Sequence, residues 1–386
     1  MREGRLLTDA TALRPQGGPT AAVISTPTAA DLALRMLDAE QWDRFVLATA
    51  GGDLAQTSSW AEAKRALGFE TCLITARRRG ELIGGALMVN KRFGPLGGVA
   101  YVARGPLFAR AQLGATRGLL DDLERAARAR RVHHLIVQPP LGGDAIAAEL
   151  VARGYSADAP AVAPTATLRL DLTRDLDDIL AGMSASHRSQ VRRGERRGIR
   201  VRLGDEGDLD LFCALHQATA RRQGFDALSR AYLRHQWNAL AGRAPVQLIF
   251  AHHDDRPLAA IWLTAFGDTV TYRLPGWTGE GRELYPNVAC HWGAICWAKA
   301  QGYRYYDLGG IERRYAELIA RGEPLPEALL RSHAAFKTRF GAELILLPKA
   351  GQLTFNPLAR AVINAVYGHM ARMRSFDRLV TRLRSG

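Results

Sequence analysis

The sequence predicts a mixed α/β (α+β) fold built from two tandem copies of one unit, with mixed central sheets, and three observations predict it. Apolar residues alternate along short strand-like runs and recur at helical spacing between them, so strands and helices interleave along the chain. Three segments of the first half align with three of the second: GELIGGALM (80–88) with RPLAAIWLT (256–264), VAYVARGPL (99–107) with TVTYRLPGW (269–277), and LLDDLERAARARRVHHLIV (119–137) with HWGAICWAKAQGYRYYDLG (291–309). Their offsets of 176, 170 and 172 residues are nearly constant, and internal duplication is the economical explanation. Length agrees, since 386 residues make two to three domains at roughly 150 each. A composition that is 47% apolar and 8% aromatic supplies a core for each and excludes wholesale disorder.

Residues 1–30 are rich in Ala, Pro, Thr and Gly without periodicity and read as a disordered leader. The first domain, 31–170, is predicted to hold helices 38–49 and 58–67, strands 70–77, 81–90 and 98–104, helix 116–130, strand 132–138, helix 144–153 and strand 165–170, with Gly/Pro turns between them. The second, 171–344, is predicted to hold helices 175–182 and 185–197, a short strand near 199–203, helices 206–223 and 229–241, strands 246–252, 257–266 and 269–275, helix 288–301 and strand 304–308. Residues 345–358 are candidates to return to the first domain. Residues 359–386 set Val362, Ile363, Val366, Met370, Met373, Leu379 and Leu383 among six arginines. That is a basic amphipathic helix, fit for docking onto the body of the protein or for peripheral contact with anionic lipid.

The net charge of +14 comes mostly from arginine, which grips phosphates bidentately, and favours an anionic partner over a purely solubilising role without deciding between them. The basic N-terminus lacks the apolar run of about 7–15 residues of a secretory signal, and no run approaches the roughly 18 of a membrane span. Cys72, Cys213, Cys290 and Cys296 form no CxxC pair and lie in apolar stretches, the pattern of buried thiols in a reducing compartment; a cytoplasmic protein is expected. The pairs His133–His134 and His252–His253 fall on strands, where neighbours face opposite ways, so no metal site is predicted.

Strand–strand–strand–helix–strand is the central run of the N-acetyltransferase-type (GNAT-like) fold, whose splayed parallel strands hold an acyl donor. A coenzyme-A-dependent member carries [RQ]xxGx[GA] at a strand-to-helix turn, because bare N–H groups at a helix N-terminus bind pyrophosphate. Neither copy has it. The nearest segment, Arg221-Arg222-Gln223-Gly224-Phe225-Asp226, ends in a carboxylate that would repel phosphate.

Six segments, QTSSWAEAKRALGFE (56–70), YVARGPL (101–107), HRSQVRRGERRGIRV (187–201), ATARRQGF (218–225), GYRYYDLGGI (302–311) and HAAFKTRFGAE (333–343), resemble in order and spacing the Fem family (FemABX-like) of tRNA-dependent peptidoglycan-bridge aminoacyltransferases. The likeness runs over roughly 40–358 and extends to FemAB-like acyltransferases of exopolysaccharide and natural-product pathways. It implies tandem acetyltransferase-like domains, aminoacyl-tRNA as donor without a separate cofactor, and a UDP- or lipid-linked muropeptide or other amine as acceptor. It further implies catalytic roles for Lys337, holding a phosphate or developing charge, and for Phe336, stacking on the terminal adenine of tRNA. The competing reading makes Phe336 and Phe340 core, with Lys337 on the solvated face of a helix.

By the same resemblance Lys64 contacts acceptor phosphates, Arg222 or its neighbour Arg221 binds the precursor's pyrophosphate, and Tyr101 and Arg104 edge the cleft. Tyr272 aligns with the Tyr101 region of the other copy. Asp307 ends a strand at the mouth of the second domain, either as a ligand contact or as a cap on the next turn. The family's acidic residue after Gly-Pro is replaced here by Leu107, Phe108 and Ala109, so no carboxylate base stands there. Arg188, Arg192, Arg193, Arg196 and Arg197 cannot share one helical face and make a broad basic surface, for RNA or simply for solvent. Two other readings remain beside aminoacyl transfer: a coenzyme-A-dependent N-acyltransferase acting on an activated sugar for exopolysaccharide, and a catalytically silent RNA- or membrane-binding relic.

Overall fold

The computed structural model describes residues 29–355 except 93–96, 110–112, 158–161, 325, 328–329 and 331. The first half runs α1 (Ala29–Ala48), α2 (Ser58–Arg65), β1 (Glu70–Arg78), β2 (Glu81–Arg92), β3 (Gly98–Ala103), β4 (Leu107–Phe108), α3 (Leu113–Ala129), β5 (Val132–Gln138), α4 (Asp144–Ala152) and β6 (Ala166–Asp171). The second runs α5 (Leu176–Gly182), α6 (Ala185–Arg196), β7 (Arg200–Gly204), α7 (Leu209–Gln223), α8 (Arg230–Leu240), β8 (Val246–His253), β9 (Arg256–Phe266), β10 (Thr269–Trp277), α9 (Pro286–Ala300), β11 (Tyr305–Gly310), α10 (Arg313–Ala320), α11 (His333–Thr338), β12 (Glu343–Leu346) and β13 (Gly351–Thr354). The described residues from Glu40 onward form one unit that contains these strands.

Thr57, Ser184, Ser229 and Ser332 cap α2, α6, α8 and α11, each accepting from the backbone N–H three residues on. Each cap satisfies a donor that the first helical turn leaves unpaired. The β1–β2 and β8–β9 hairpins turn through Arg79-Gly80 and Asp254-Asp255, all four at positive φ, as a two-residue hairpin loop requires. The same turn recurs in the same place in both copies.

Two mixed sheets result. The first has the order β1-β2-β3-β5-β13 with β4 on β2, and the second β12-β6-β11-β10-β9-β8-β7. Each contains one parallel pair, β3 with β5 and β10 with β11. Leu120 and Leu123 of α3 and Leu150 of α4 pack on Met88, Leu135 and Val137 of the first sheet. In the second, α9 covers one face through Ala294 and Ile295, and α7 and α8 the other through Phe212 and Leu233. Trp60 of α2 joins Leu240 of α8 in a cluster that ties the halves together.

A strand exchange crosses the boundary expected at 170/171. β6, expected in the first domain, pairs antiparallel with β11 and β12, and Ala166, Leu168 and Leu170 belong to the second core. Conversely β13 pairs antiparallel with β5 of the first sheet. Residues 345–358 therefore return only in part, because Ile345 and Leu346 still lie in β12. Alternation identifies a strand, but its partner is chosen by long-range packing. α1 starts nine residues before the expected helix; residues 1–28 of the leader and the segment 359–386 lie outside the described residues.

Candidate active site

Where the halves meet lies an open cavity of about 1200 Å³. The second sheet opens beside it. β10 and β11 pair only from Thr269 opposite Tyr305 to Thr271 opposite Asp307, after which β10 continues along β9 while Gly310 pairs with Thr167 of β6.

Into this opening α11 delivers Lys337. Its Nζ donates to the Gly310 carbonyl at 2.9 Å and stands 5.5 Å from the centre of the Tyr272 ring. The residue is only 6% exposed, which overturns the solvated-face reading, and burial pushes its pKa down to about 8 against the opposing pull of Asp307. Gly309 makes room: it holds φ at 77°, and a Cβ there would lie 2.9 Å from the Tyr272 carbonyl oxygen and 3.5 Å from Nζ. Asp307 accepts from the Gly309 N–H at 2.7 Å and from the Thr167 hydroxyl, so it caps the turn that presents Gly309 and Gly310. Burial raises its pKa, and those hydrogen bonds, Lys337 and Arg104 oppose the rise.

Phe336 points elsewhere. Its ring lies 5.2, 5.7 and 5.4 Å from those of His187, His291 and Phe340, and it does not line the cavity. The adenine-stacking surface that the resemblance implies is thus behind the wall. His333, one helical turn before Lys337, does line the cavity; burial and the Lys337 charge push its pKa down to about 4, so its ring is neutral near pH 7.

The first half supplies the opposite wall, with Tyr101 and Arg104. Arg104 holds φ at 57°, and both neighbours are pinned: Gln56 Nε2 donates to the Ala103 carbonyl at 2.6 Å, and the Gly105 N–H donates to the Gln138 carbonyl at 3.0 Å. Arg273, which sequence reasoning missed, also lines the cavity. Tyr272 pairs with Leu263 and Leu274 with Trp262, which makes Arg273 the extra residue of a β-bulge. Its guanidinium lies 4.9 Å from the centre of the Trp60 ring. A lone arginine inside the apolar strand TVTYRLPGW is the signal that finds it.

Two expected contacts lie elsewhere. Lys64 is fully buried in the first half, its Nζ 5.0 and 5.8 Å from the ring centres of Trp60 and Phe69, and it neither lines the cavity nor faces solvent. Burial, aided by the Arg273 charge, pushes its pKa down to about 7. Arg222 is exposed outside the cavity, stacked 4.3 Å from the Trp277 ring centre and donating to the Trp277 carbonyl at 3.2 Å; Arg221 is exposed as well. On α6, Arg192, Arg193 and Arg196 are exposed, as is Arg197 directly after it. Arg197 donates to the Glu283 carbonyl at 3.0 Å, whereas Arg188 turns back onto the carbonyls of Ala181 and Met183 at the end of α5. None of these five lines the cavity. Among the described residues no three His, Cys, Asp or Glu side chains gather as metal ligands would, and no helix is long and apolar enough to cross a membrane.

The sequence matches the FemAB family over residues 37–152 and the acetyltransferase (GNAT) domain over residues 183–317. It is 26% identical over 229 residues to the lipid II:glycine glycyltransferase of Staphylococcus aureus (strain MRSA252), covering 56% of this chain and 54% of that protein. The chain thus spans about half the length of the relatives it matches. Among solved structures, FemX aligns with a TM-score of 0.72 at 19% identity over 85% of this chain and 98% of its own. A tandem GNAT protein from the clavulanic acid biosynthesis pathway aligns with a TM-score of 0.50 at 16% identity over 83% and 95%. Both likenesses concern the fold, and it is the one that the element order predicts.

Proposed function

We propose that this chain, which matches the FemAB family over residues 37–152 and the acetyltransferase (GNAT) domain over residues 183–317, is an acyltransferase moving an amino acid from aminoacyl-tRNA onto an amine of a UDP- or lipid-linked muropeptide or a peptide-like metabolite, forming an amide. The observation that carries this reading is the buried Lys337 at the opening between β10 and β11. The donor ester is already activated, so the reaction needs alignment and charge stabilisation rather than a protein nucleophile. The acceptor nitrogen attacks the ester carbonyl and the C–N bond forms. The carbonyl oxygen takes the electron pair, and the Lys337 ammonium stabilises it where little water competes. The C–O bond then breaks, and the departing ribose oxygen carries off the proton that the amine releases. Asp307 favours the charged form of Lys337.

The Staphylococcus relative is named for glycine transfer to lipid II, which supports a muropeptide acceptor. The exposed arginines of α6 supply a surface for the donor RNA. The work is assigned to the cytoplasm, with 359–386 as the segment to test for membrane contact. Against the coenzyme-A alternative stands the turn into α9, where Tyr285 holds the N-cap position with φ at 57° and Pro286 removes an N–H from the first turn. The test is incorporation of labelled amino acid from charged tRNA into a muropeptide, with and without RNase. Loss of incorporation on RNase treatment is expected; RNase-resistant transfer from an acyl-CoA would overturn the reading.

A further inference from the structure

The duplicated strands β3 and β10 both break their pairing where they reach the cavity, and each presents an arginine there. In β10 the break is the bulge at Arg273. In β3, pairing with β2 ends at Tyr101 opposite Val89, and the Gln56 side chain takes over, accepting from the Leu87 N–H at 2.8 Å and donating to the Ala103 carbonyl at 2.6 Å. Arg104 follows directly.

Arg104 is only 9% exposed, and its Nε stands 3.7 Å from an Asp53 carboxylate oxygen, beyond hydrogen-bond length. Its Nη1 and the Tyr101 hydroxyl are both buried and meet no hydrogen-bond partner among the described residues. A buried guanidinium with an unmet donor is unfavourable, and a second guanidinium nearby adds repulsion. Arg104 and Arg273 do stand close enough for the charge of one to disfavour the charge of the other, and both feel Asp307 beside Lys337. An anion held between them removes both penalties through charge-assisted hydrogen bonds.

We propose that Arg104 and Arg273, with the Tyr101 hydroxyl, form an anion subsite that takes a carboxylate or phosphate of the acceptor and thereby fixes the position of its amine relative to Lys337. Its purpose rests on the transfer reaction proposed above, but anion binding can be measured without any transfer. Calorimetry on the full chain would use inorganic phosphate and N-acetyl-alanine as probes and N-acetyl-alaninamide as the neutral control. The wild type is expected to bind at least one charged probe and not the amide, and the probe bound tells phosphate from carboxylate. Arg104→Gln and Arg273→Gln should each weaken that binding by ~10-fold or more, with Arg104→Lys retaining part of it, and Arg273→Gln should raise the acceptor KM while sparing kcat. Arg273 is half-buried and on a bulge, so Arg273→Gln decides the matter even if Arg104→Gln does not fold. Wild type binding neither probe, or a folded Arg273→Gln binding them unchanged, overturns the subsite. Probe binding lost on substitution, in a protein that transfers nothing from any tRNA, would instead support the subsite and sink the transfer reaction.

Discussion

The two halves of this chain share an arrangement of strands and differ in how long their parallel strands stay together. β3 and β5 pair from Gly98 opposite Val132 to Ala103 opposite Gln138, and the Gly105 N–H extends the ladder onto the Gln138 carbonyl. β10 and β11 part after Thr271 and Asp307. One copy is zipped and serves as a wall, offering Tyr101 and Arg104 to the cavity; the other is open and holds Lys337. On the proposed function, the second half carries the chemistry and the first shapes the cleft.

The largest effect that would break this comparison concerns Lys337. Lys337→Ala is expected to lower transfer by ~10²-fold or more, the scale of removing one oxyanion contact, with little change in melting temperature. Wild-type turnover in that variant would move the chemistry out of the second half. In the zipped half, Ile136→Ala should cost ~2–5 kcal/mol in denaturant unfolding, because Ile136 is 1% exposed in the core, yet leave the pH profile of the remaining activity unchanged. If the profile moved with Ile136, the first half would be more than a wall.

That profile is the next test. Lys337 must be charged to stabilise the oxyanion, so kcat/KM should fall as pH rises through about 8, and Lys337→Arg should carry the falling limb to higher pH. The buried lysine of the first half should appear in stability instead. The folded pKa of Lys64, about 7, lies below the ordinary 10.5, so the unfolded chain binds more protons between those values and stability should rise with pH across that window. Lys64→Met should remove part of the rise between pH 7 and 9.5, measured as the urea midpoint; an unchanged slope would mean that Lys64 is hydrated. The smallest effect is expected outside both sheets, where Arg192→Glu with Arg196→Glu should reduce the salt slope of RNA binding by about one for each lost phosphate contact.

What the sequence reveals here follows from range. Hairpins, caps and alternating strands are local, and the repeat offsets expose the duplication because both copies keep the same turns at Arg79-Gly80 and Asp254-Asp255. The partner of β6 is not local, and the sequence assigns that strand to the wrong sheet. Lys337 is legible by resemblance, while the direction of Phe336 is not, since its aromatic neighbours His187 and His291 come from α6 and α9. Lys64 shares a helical face with Trp60, four residues earlier, and only tertiary packing shows that this face is buried. Arg273 stands out as a lone arginine in an apolar strand, but the bulge on which it sits is a property of two strands and is invisible in either alone.

The exchange of outer strands also sets the order in which the molecule can be completed on the ribosome. β6 is synthesised before the strands it joins, so the second sheet finds its partner waiting. The first sheet has the opposite problem, because roughly 200 residues separate Gln138 at the end of β5 from Gly351 at the start of β13. At about 5–20 residues per second, translation leaves the β5 edge uncovered for ~10–40 s. An uncovered edge carrying Leu135 and Val137 is a template for pairing with a neighbouring chain. Nascent chains stalled before residue 351 should therefore be the aggregation-prone species of this protein, and a supplied β13 peptide should quiet them.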